Sequence, residues 1–199
     1  NAGVTRLIFG LGKKALLSSA AGAIAQEAFS LPSSALSPVY AWTGAISYAL
    51  QIYFDFSGYT DMALGLALLF GFTLPENFSH PYMADSVTDF WRRWHMSLSS
   101  WFRDYVYIPL GGSRCSKGRL VWNLFAVWSL TGLWHGANWT FVCWGLWFFV
   151  LLSLEKLLWG QALAKLPGIL RHVYAMLAVF IGWIFFRSPS LPYAFSFLR

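Results

Sequence analysis

From residue 120 to residue 154 the chain carries no Lys, Arg, Asp or Glu. A tract of this kind can be solvated by lipid or by protein, but not comfortably by water, and a bilayer core of about 30 Å is crossed by about 20 apolar residues. The run is long enough for two strongly apolar helices, 120–134 and 139–154, and their joint falls at the sequence HGAN. Gly132 and Gly136 flank Trp134 and His135 there, which lets the backbone bend or another helix approach closely. His135 is therefore the one strongly proton-active side chain of the tract, placed at an interruption between apolar segments.

Composition says that the rest of the chain lives in the same solvent. Hydrophobic residues make up 57% of the sequence and charged ones 11%, against roughly a quarter charged in soluble domains, and the mean hydropathy is +0.53. The expectation is an all-α polytopic membrane protein, a multi-helix bundle with re-entrant or interfacial helices, to which the family resemblance given below adds a central tunnel. The net charge of +6 would suggest nucleic acid in a soluble protein. Here it is better explained by cation-rich loops on the cytoplasmic side of a membrane, so no nucleic-acid partner is expected. Residues 1–30 show no secretory signal, since Lys13 and Lys14 fall within the weakly apolar stretch and not ahead of it. Cys115 and Cys143 form neither a CxxC pair nor a disulfide framework. A start at Asn1 and an end at Arg199 just past an apolar stretch are expected of a piece of a longer protein.

Taken in order, residues 2–29 read as one helix whose Arg6, Lys13, Lys14 and Glu27 favour an interfacial or re-entrant placement over a span. Residues 31–38, rich in Ser and Pro, form a loop. The apolar stretch 40–72 exceeds one straight crossing, so a kink is expected at Ser57 and Gly58. Its carboxylates, Asp55 and Asp61, are costly at membrane depth. They either cap the broken helix or pair with arginines of the next segment, or else they handle substrate. Residues 71–83 form a loop in which His80 makes local hydrogen bonds.

From residue 85 to 107 helical spacing puts Trp91, Trp94, His95, Leu98, Trp101, Phe102 and Tyr105 on one stripe, with Asp89, Arg92, Arg93, Ser97, Ser100 and Asp104 opposite. A histidine on the apolar side is costlier than an aliphatic residue and calls for a partner or a function. Residues 108–119 form a basic, glycine-rich loop without a GxxxxGK[ST] or GxGxxG pattern, so a phosphate cradle is poorly supported. Glu155, Lys156, Lys165, Pro167, Arg171 and His172 mark another loop, and a last apolar helix begins near residue 173.

An imidazole with an ordinary pKa near 6.5 suits removal of a proton from a hydroxyl and its return to a leaving group. No GxSxG elbow supports a serine hydrolase, and no HExxH or neighbouring carboxylate supports a metal at His135. A covalent acyl route through Cys143 is the lesser alternative.

The blocks QIYFDFSGYTDMALGLALLFGF, PENFSHPY, DFWRRWHMSLSSWFRDYVYIPLGG and TGLWHGANWTFVCWGL together resemble the membrane-bound O-acyltransferase (MBOAT) family, in its bacterial branch of alginate O-acetylation and teichoic-acid D-alanylation proteins. The resemblance runs over residues 42–154 in the right order. It implies an acyltransferase of the bacterial inner membrane, multi-pass and longer than this chain, so that residues 1–199 are a partial membrane domain lacking the N-terminal part of the family fold. It implies an essential histidine midway along a tunnel, at His135, with the second family histidine at His95.

No bound cofactor is implied. The co-substrate is an acyl thioester, acetyl-CoA or an acyl carrier protein, delivered on the cytoplasmic side. The acceptor is a hydroxyl of an extracytoplasmic polysaccharide or an acetyltransferase-like partner, and membrane lipids surround the protein. Trp134, Asn138 and Trp94 would shape the constriction, with Asp61 and Asp55 as further substrate-handling candidates. The competing classes are a transporter or channel using the buried Asp and His residues and a non-catalytic membrane scaffold for a secreted transferase.

Overall fold

The computed structural model describes residues 2–32 and 35–199, so Ser33 and Ser34 of the expected 31–38 loop lie outside the described residues. The described residues contain helices and no strand, as an all-α chain requires. They form two compact units, one running to Asn77 and one spanning Phe78–Leu198. Among the described residues three helical stretches are long and apolar enough to cross a membrane: Ala2–Ser30, Trp139–Ala164 and Gly168–Arg187.

In the first unit α1 (Ala2–Gly12) passes through a π-helical turn (Lys13–Ser18) into α2 (Ser19–Ser30), and this rod packs along α3 (Pro38–Leu69). Pro38 opens α3, where its missing N–H costs nothing, and Ser37 Oγ accepts the Tyr40 N–H at 3.3 Å. The expected break at Ser57 and Gly58 is absent: α3 is continuous. Gly58 serves a close crossing instead. A Cβ on Gly10 would lie 2.6 Å from the Gly58 carbonyl oxygen, and one on Gly65 would lie 2.7 Å from that of Gly3. Helices in lipid gain their packing from such backbone approach at small residues.

The same alignment accounts for the scattered charges. Arg6 and Lys13, seven residues apart and so on one helical face, both reach Asp61: Arg6 Nε and Nη2 donate to Oδ1 at 3.0 Å each, and Lys13 Nζ donates to Oδ2 at 2.6 Å. Arg6 also clasps Glu76, and Lys14 pairs with Asp55. The carboxylates thus neither cap a broken helix nor meet arginines from the following segment. Their partners come from the preceding helical stretch, and Ala2–Ser30, expected at the interface, is also long and apolar enough to cross a membrane.

The second unit holds α4 (Val87–Arg93), α5 (Met96–Phe102) running into a π turn (Arg103–Tyr107), α6 (Lys117–His135), α7 (Trp139–Leu154), a π turn (Glu155–Trp159), α8 (Gly160–Ala164), α9 (Gly168–Arg187) and α10 (Leu191–Phe197). Helices α6 and α7 form an antiparallel pair with almost touching backbones. A Cβ on Gly145 would lie 2.4 Å from the Trp128 carbonyl oxygen, and one on Gly132 would lie 2.7 Å from that of Phe141. Against them packs α9, where Trp147 Nε1 donates to the Ala178 carbonyl at 2.9 Å. The core is aromatic: Trp144 and Trp183 stack at 6.3 Å and 17°, each 1% exposed, with Phe90 and Phe148 buried beside them.

Two further expectations change here. Residues 85–107 do not form one amphipathic helix, because the chain breaks at Trp94 and His95. The second half of the stripe is thereby re-aimed, leaving Trp101 and Tyr105 exposed while Phe102 is buried. The loop expected after Leu154 shrinks to residues 165–167, since the helix continues through the π turn and α8, and α9 starts at Gly168.

Candidate active site

His95 owes its position to the break between α4 and α5. Its φ of 44° and ψ of 57° are left-handed, a conformation that costs a non-glycine residue about 1–3 kcal/mol and persists only where neighbours over-determine it. Those neighbours are on both sides. Ser86 Oγ caps α4 by accepting the Asp89 N–H at 3.0 Å, Asp89 pairs with Arg93 at 2.9 Å, and the Ser99 hydroxyl donates to the carbonyls of Trp91 at 3.3 Å and Trp94 at 3.4 Å. The final turns of α4 are thus tied to the first turn of α5, and the His95 backbone is held between them.

His135 is the last residue of α6, where Gly136 ends the helix. Asn138 then starts α7: its Oδ1 accepts the Thr140 N–H at 3.2 Å, while Nδ2 donates to the Pro189 carbonyl at 3.5 Å. The His135 ring sits in an aromatic bracket with centroids 4.8 Å from Trp134, 4.9 Å from Trp144 and 5.0 Å from Phe186. Trp134 also lies 6.1 Å from the His95 ring, so one indole borders both imidazoles.

The two histidines line a single cavity of about 220 Å³ inside the second unit. Trp91, Trp94, Trp128, Leu98, Phe102 and Leu124 supply apolar wall, and Arg92, Arg103 and Lys156 supply three cations. Lys156 Nζ donates to Tyr107 Oη at 2.9 Å and to Ser113 Oγ at 3.4 Å. Arg103 is bound to Asp104 at 2.7 Å. His95 lies outside the three helices long enough to span, and burial pushes its imidazole down to about 4. It is therefore neutral at physiological pH, with one ring nitrogen able to donate and the other to accept.

The chemistry available is that of two imidazoles in a largely apolar chamber with a cationic share of the lining. One neutral imidazole can take a hydroxyl proton, the other can polarise a carbonyl, and the cations suit an anionic co-substrate. Among the described residues no cluster of three His, Cys, Asp or Glu could hold a metal ion.

Of the residues expected from sequence, His95, His135 and Trp94 share the cavity wall, Trp134 spans both rings, and Asn138 stands at the joint as a helix cap. Asp55 and Asp61 belong to the first unit and are engaged by Lys14, Arg6 and Lys13. Cys143 is on α7 and is not among the cavity-lining residues. His80 precedes a short 3-10 turn, its backbone carbonyl accepting the Met83 N–H at 3.0 Å, and His172 Nδ1 lies 3.0 Å from the Ala84 carbonyl oxygen. Sequence reasoning missed Arg92, Arg103 and Lys156 as lining residues, having set Arg92 opposite the aromatic stripe and Lys156 in a loop. It also missed Glu155, whose carboxylate is buried. The signal for Glu155 was a lone acid at the first position past an uncharged helix.

Residues 1–191 match the model of the membrane-bound O-acyltransferase family. The chain is similar to the probable alginate O-acetylase AlgI of Azotobacter vinelandii, with 47% identity over 96% of this chain and 38% of that protein. It is similar to the peptidoglycan O-acetyltransferase of Helicobacter pylori, with 41% identity over 96% of this chain and 36% of that protein. The teichoic acid D-alanyltransferase of Bacillus subtilis is 38% identical over 61% of this chain and 33% of its own length. The chain therefore spans about a third of the length of these relatives.

Proposed function

Because this chain belongs to the membrane-bound O-acyltransferase family, we propose that the whole protein moves an acetyl group from a cytoplasmic thioester to hydroxyls of an extracytoplasmic polysaccharide, directly or through a partner protein, with His135 as general base. The observation that carries this reading is the single cavity onto which both imidazoles open. A His135 ring nitrogen takes the proton of the acceptor hydroxyl as its oxygen attacks the thioester carbonyl. The carbon–sulfur bond then breaks, and the thiolate leaves with the proton that the imidazolium returns. His95 polarises the carbonyl oxygen by donating a hydrogen bond that strengthens as negative charge develops there.

Arg92, Arg103 and Lys156 give the cavity a lining suited to the phosphate groups that acetyl-CoA and acyl carrier proteins carry. Acetyl is favoured because the relatives aligned over nearly all of this chain are named for O-acetylation. The expected location is the inner membrane of a bacterium, with several crossings and lipid around the aromatic surface.

The reading is tested with the full-length protein in inverted membrane vesicles supplied with acetyl-labelled thioester. Label should become covalently attached to hydroxyls of polymer or partner protein and be released by mild base. Label crossing into the lumen as free thioester or free acetate would mean transport, and label that stays with the donor would mean a scaffold.

A further inference from the structure

Past Leu154, the chain buries a carboxylate that the acyl-transfer steps do not use. Glu155 opens the π turn after α7 and is 7% exposed. Its Oε1 accepts the Val87 N–H at 2.7 Å, and its Oε2 accepts the Thr88 N–H at 2.9 Å and the Thr88 hydroxyl at 2.5 Å. With Ser86 Oγ on the Asp89 N–H, the first three amides of α4 all have acceptors, which the amides of a helix start otherwise lack. The sequence distance between Glu155 and this helix start is 68 residues at Val87, so the contact is tertiary and not a local cap.

Helix α4 has only seven residues, far below the length that is stable alone. At about 1.5 Å per residue it is a rod of roughly 10 Å. One end of that rod rests on Glu155, and the other ends in Trp94 and the left-handed His95. Ser99 ties the first turn of α5 to the Trp91 and Trp94 carbonyls at the end of α4, so a shift or rotation of α4 is carried directly into the strained residue between the two helices. A carboxylate taken out of water is expensive unless it is fully bonded. Burial of Glu155 against the amides of α4, with no cation among the hydrogen-bond partners given above, places its charge where it orients a helix start.

We infer that Glu155 is a positioning residue for His95, acting through the N-terminus of α4. The inference rests on the acyl-transfer reading for its effect on rate, but not for its effect on the imidazole itself. Glu155→Gln keeps the side chain's shape while replacing one acceptor oxygen by an amide that opposes the α4 N–H groups. Glu155→Asp keeps the charge one methylene short. Thr88→Val removes the hydroxyl contact alone.

The test uses full-length protein in membranes and two readouts: kcat and KM for labelled acetyl thioester, and the rate at which diethyl pyrocarbonate modifies His95, read peptide by peptide by mass spectrometry. In Glu155→Gln, kcat should fall about ten-fold with KM within two-fold, as expected when a catalytic geometry loosens without loss of ground-state binding. His95 modification should speed up at least three-fold while the rate at His80 stays unchanged. Glu155→Asp should recover part of both losses, and Thr88→Val should move both in the same direction by a smaller factor.

Wild-type modification rates at His95 in all accumulating variants would overturn the inference, whatever happens to activity. If the unsubstituted protein transfers no acetyl but His95 modification still follows the Glu155 series, the positioning role stands and the acyltransferase reading falls. If Glu155→Gln does not accumulate, Thr88→Val and Glu155→Asp decide the matter by the same two readouts.

Discussion

The crossing of α6 and α7 allows a quantitative forecast for a residue outside the cavity wall. Gly145→Ala would put a methyl group 2.4 Å from the Trp128 carbonyl oxygen, whereas ordinary contact begins at 3.4 Å. The obstacle is backbone, not the end of a flexible side chain, so α6 must retreat from α7 by about 1 Å at that level. Overpacking of this kind costs typically about 1–3 kcal/mol. His135 lies two helical turns beyond Trp128 on the same rigid helix and moves with it. A misplacement of about 1 Å in a reacting group can cost on the order of 100-fold in rate, so kcat for acetyl transfer in membranes should fall by about that factor, with the melting temperature of the purified protein lowered. The control is Gly118→Ala at the start of the same helix, where an added Cβ meets nothing within 4 Å. That change should leave transfer intact and be neutral or slightly stabilising, since Ala favours helix over Gly by about 1 kcal/mol. Gly145→Ala with transfer within two-fold of wild type would refute the link between this backbone contact and the position of His135.

Other outcomes separate the roles assigned above. Asp61→Asn, which strands Lys13 in a partly buried site and leaves Arg6 with Glu76 alone, should destabilise the protein by about 3 kcal/mol. Asp55→Asn breaks only a half-exposed pair and should cost less than about 1 kcal/mol; equal losses in chemical denaturation would contradict the assignment. The His95 imidazole is held below its ordinary value, so the unfolded state binds more protons between about pH 6.5 and pH 4. Its contribution to stability is whole above that window and is lost as pH falls through it. The melting temperature should drop on acidification, and His95→Asn, which tolerates the left-handed backbone, should flatten that part of the curve. Cys143→Ser should retain transfer, and no acyl-enzyme should be trapped at that position; loss of transfer with a trapped thioester would revive the covalent route.

What could be read from sequence followed from local pattern. The uncharged apolar run of residues 120–154 located α6, α7 and their joint, and the HGAN interruption located His135, because a helix boundary leaves a local trace. His95 was singled out because a histidine on an aromatic stripe is costly. Where it sits depends on a left-handed residue that helical periodicity cannot reveal, so Trp101 and Tyr105 are exposed although the stripe groups them with Leu98 and Phe102 on the cavity side. The supposed kink at Ser57 and Gly58 shows the complementary failure. Glycine in a membrane helix signals either a bend or a close neighbour, and only the partners Gly3 and Gly10 decide between them. Ion pairs over 41–70 residues of sequence, such as those of Lys14 with Asp55 and Arg6 with Glu76, and the 68-residue reach of Glu155 are tertiary facts without a local signature. The cationic share of the cavity lining was hidden for the same reason, since Arg92, Arg103 and Lys156 come together only after folding.

The most direct trial of the central claim is acetyl transfer by full-length protein bearing His135→Ala, measured from labelled thioester in membranes that hold wild-type amounts of the protein. Label incorporation into acceptor hydroxyls should drop by at least three orders of magnitude and reach the no-enzyme background, while His172→Ala in parallel retains transfer. Incorporation that persists in the His135→Ala membranes would show that another group takes the hydroxyl proton.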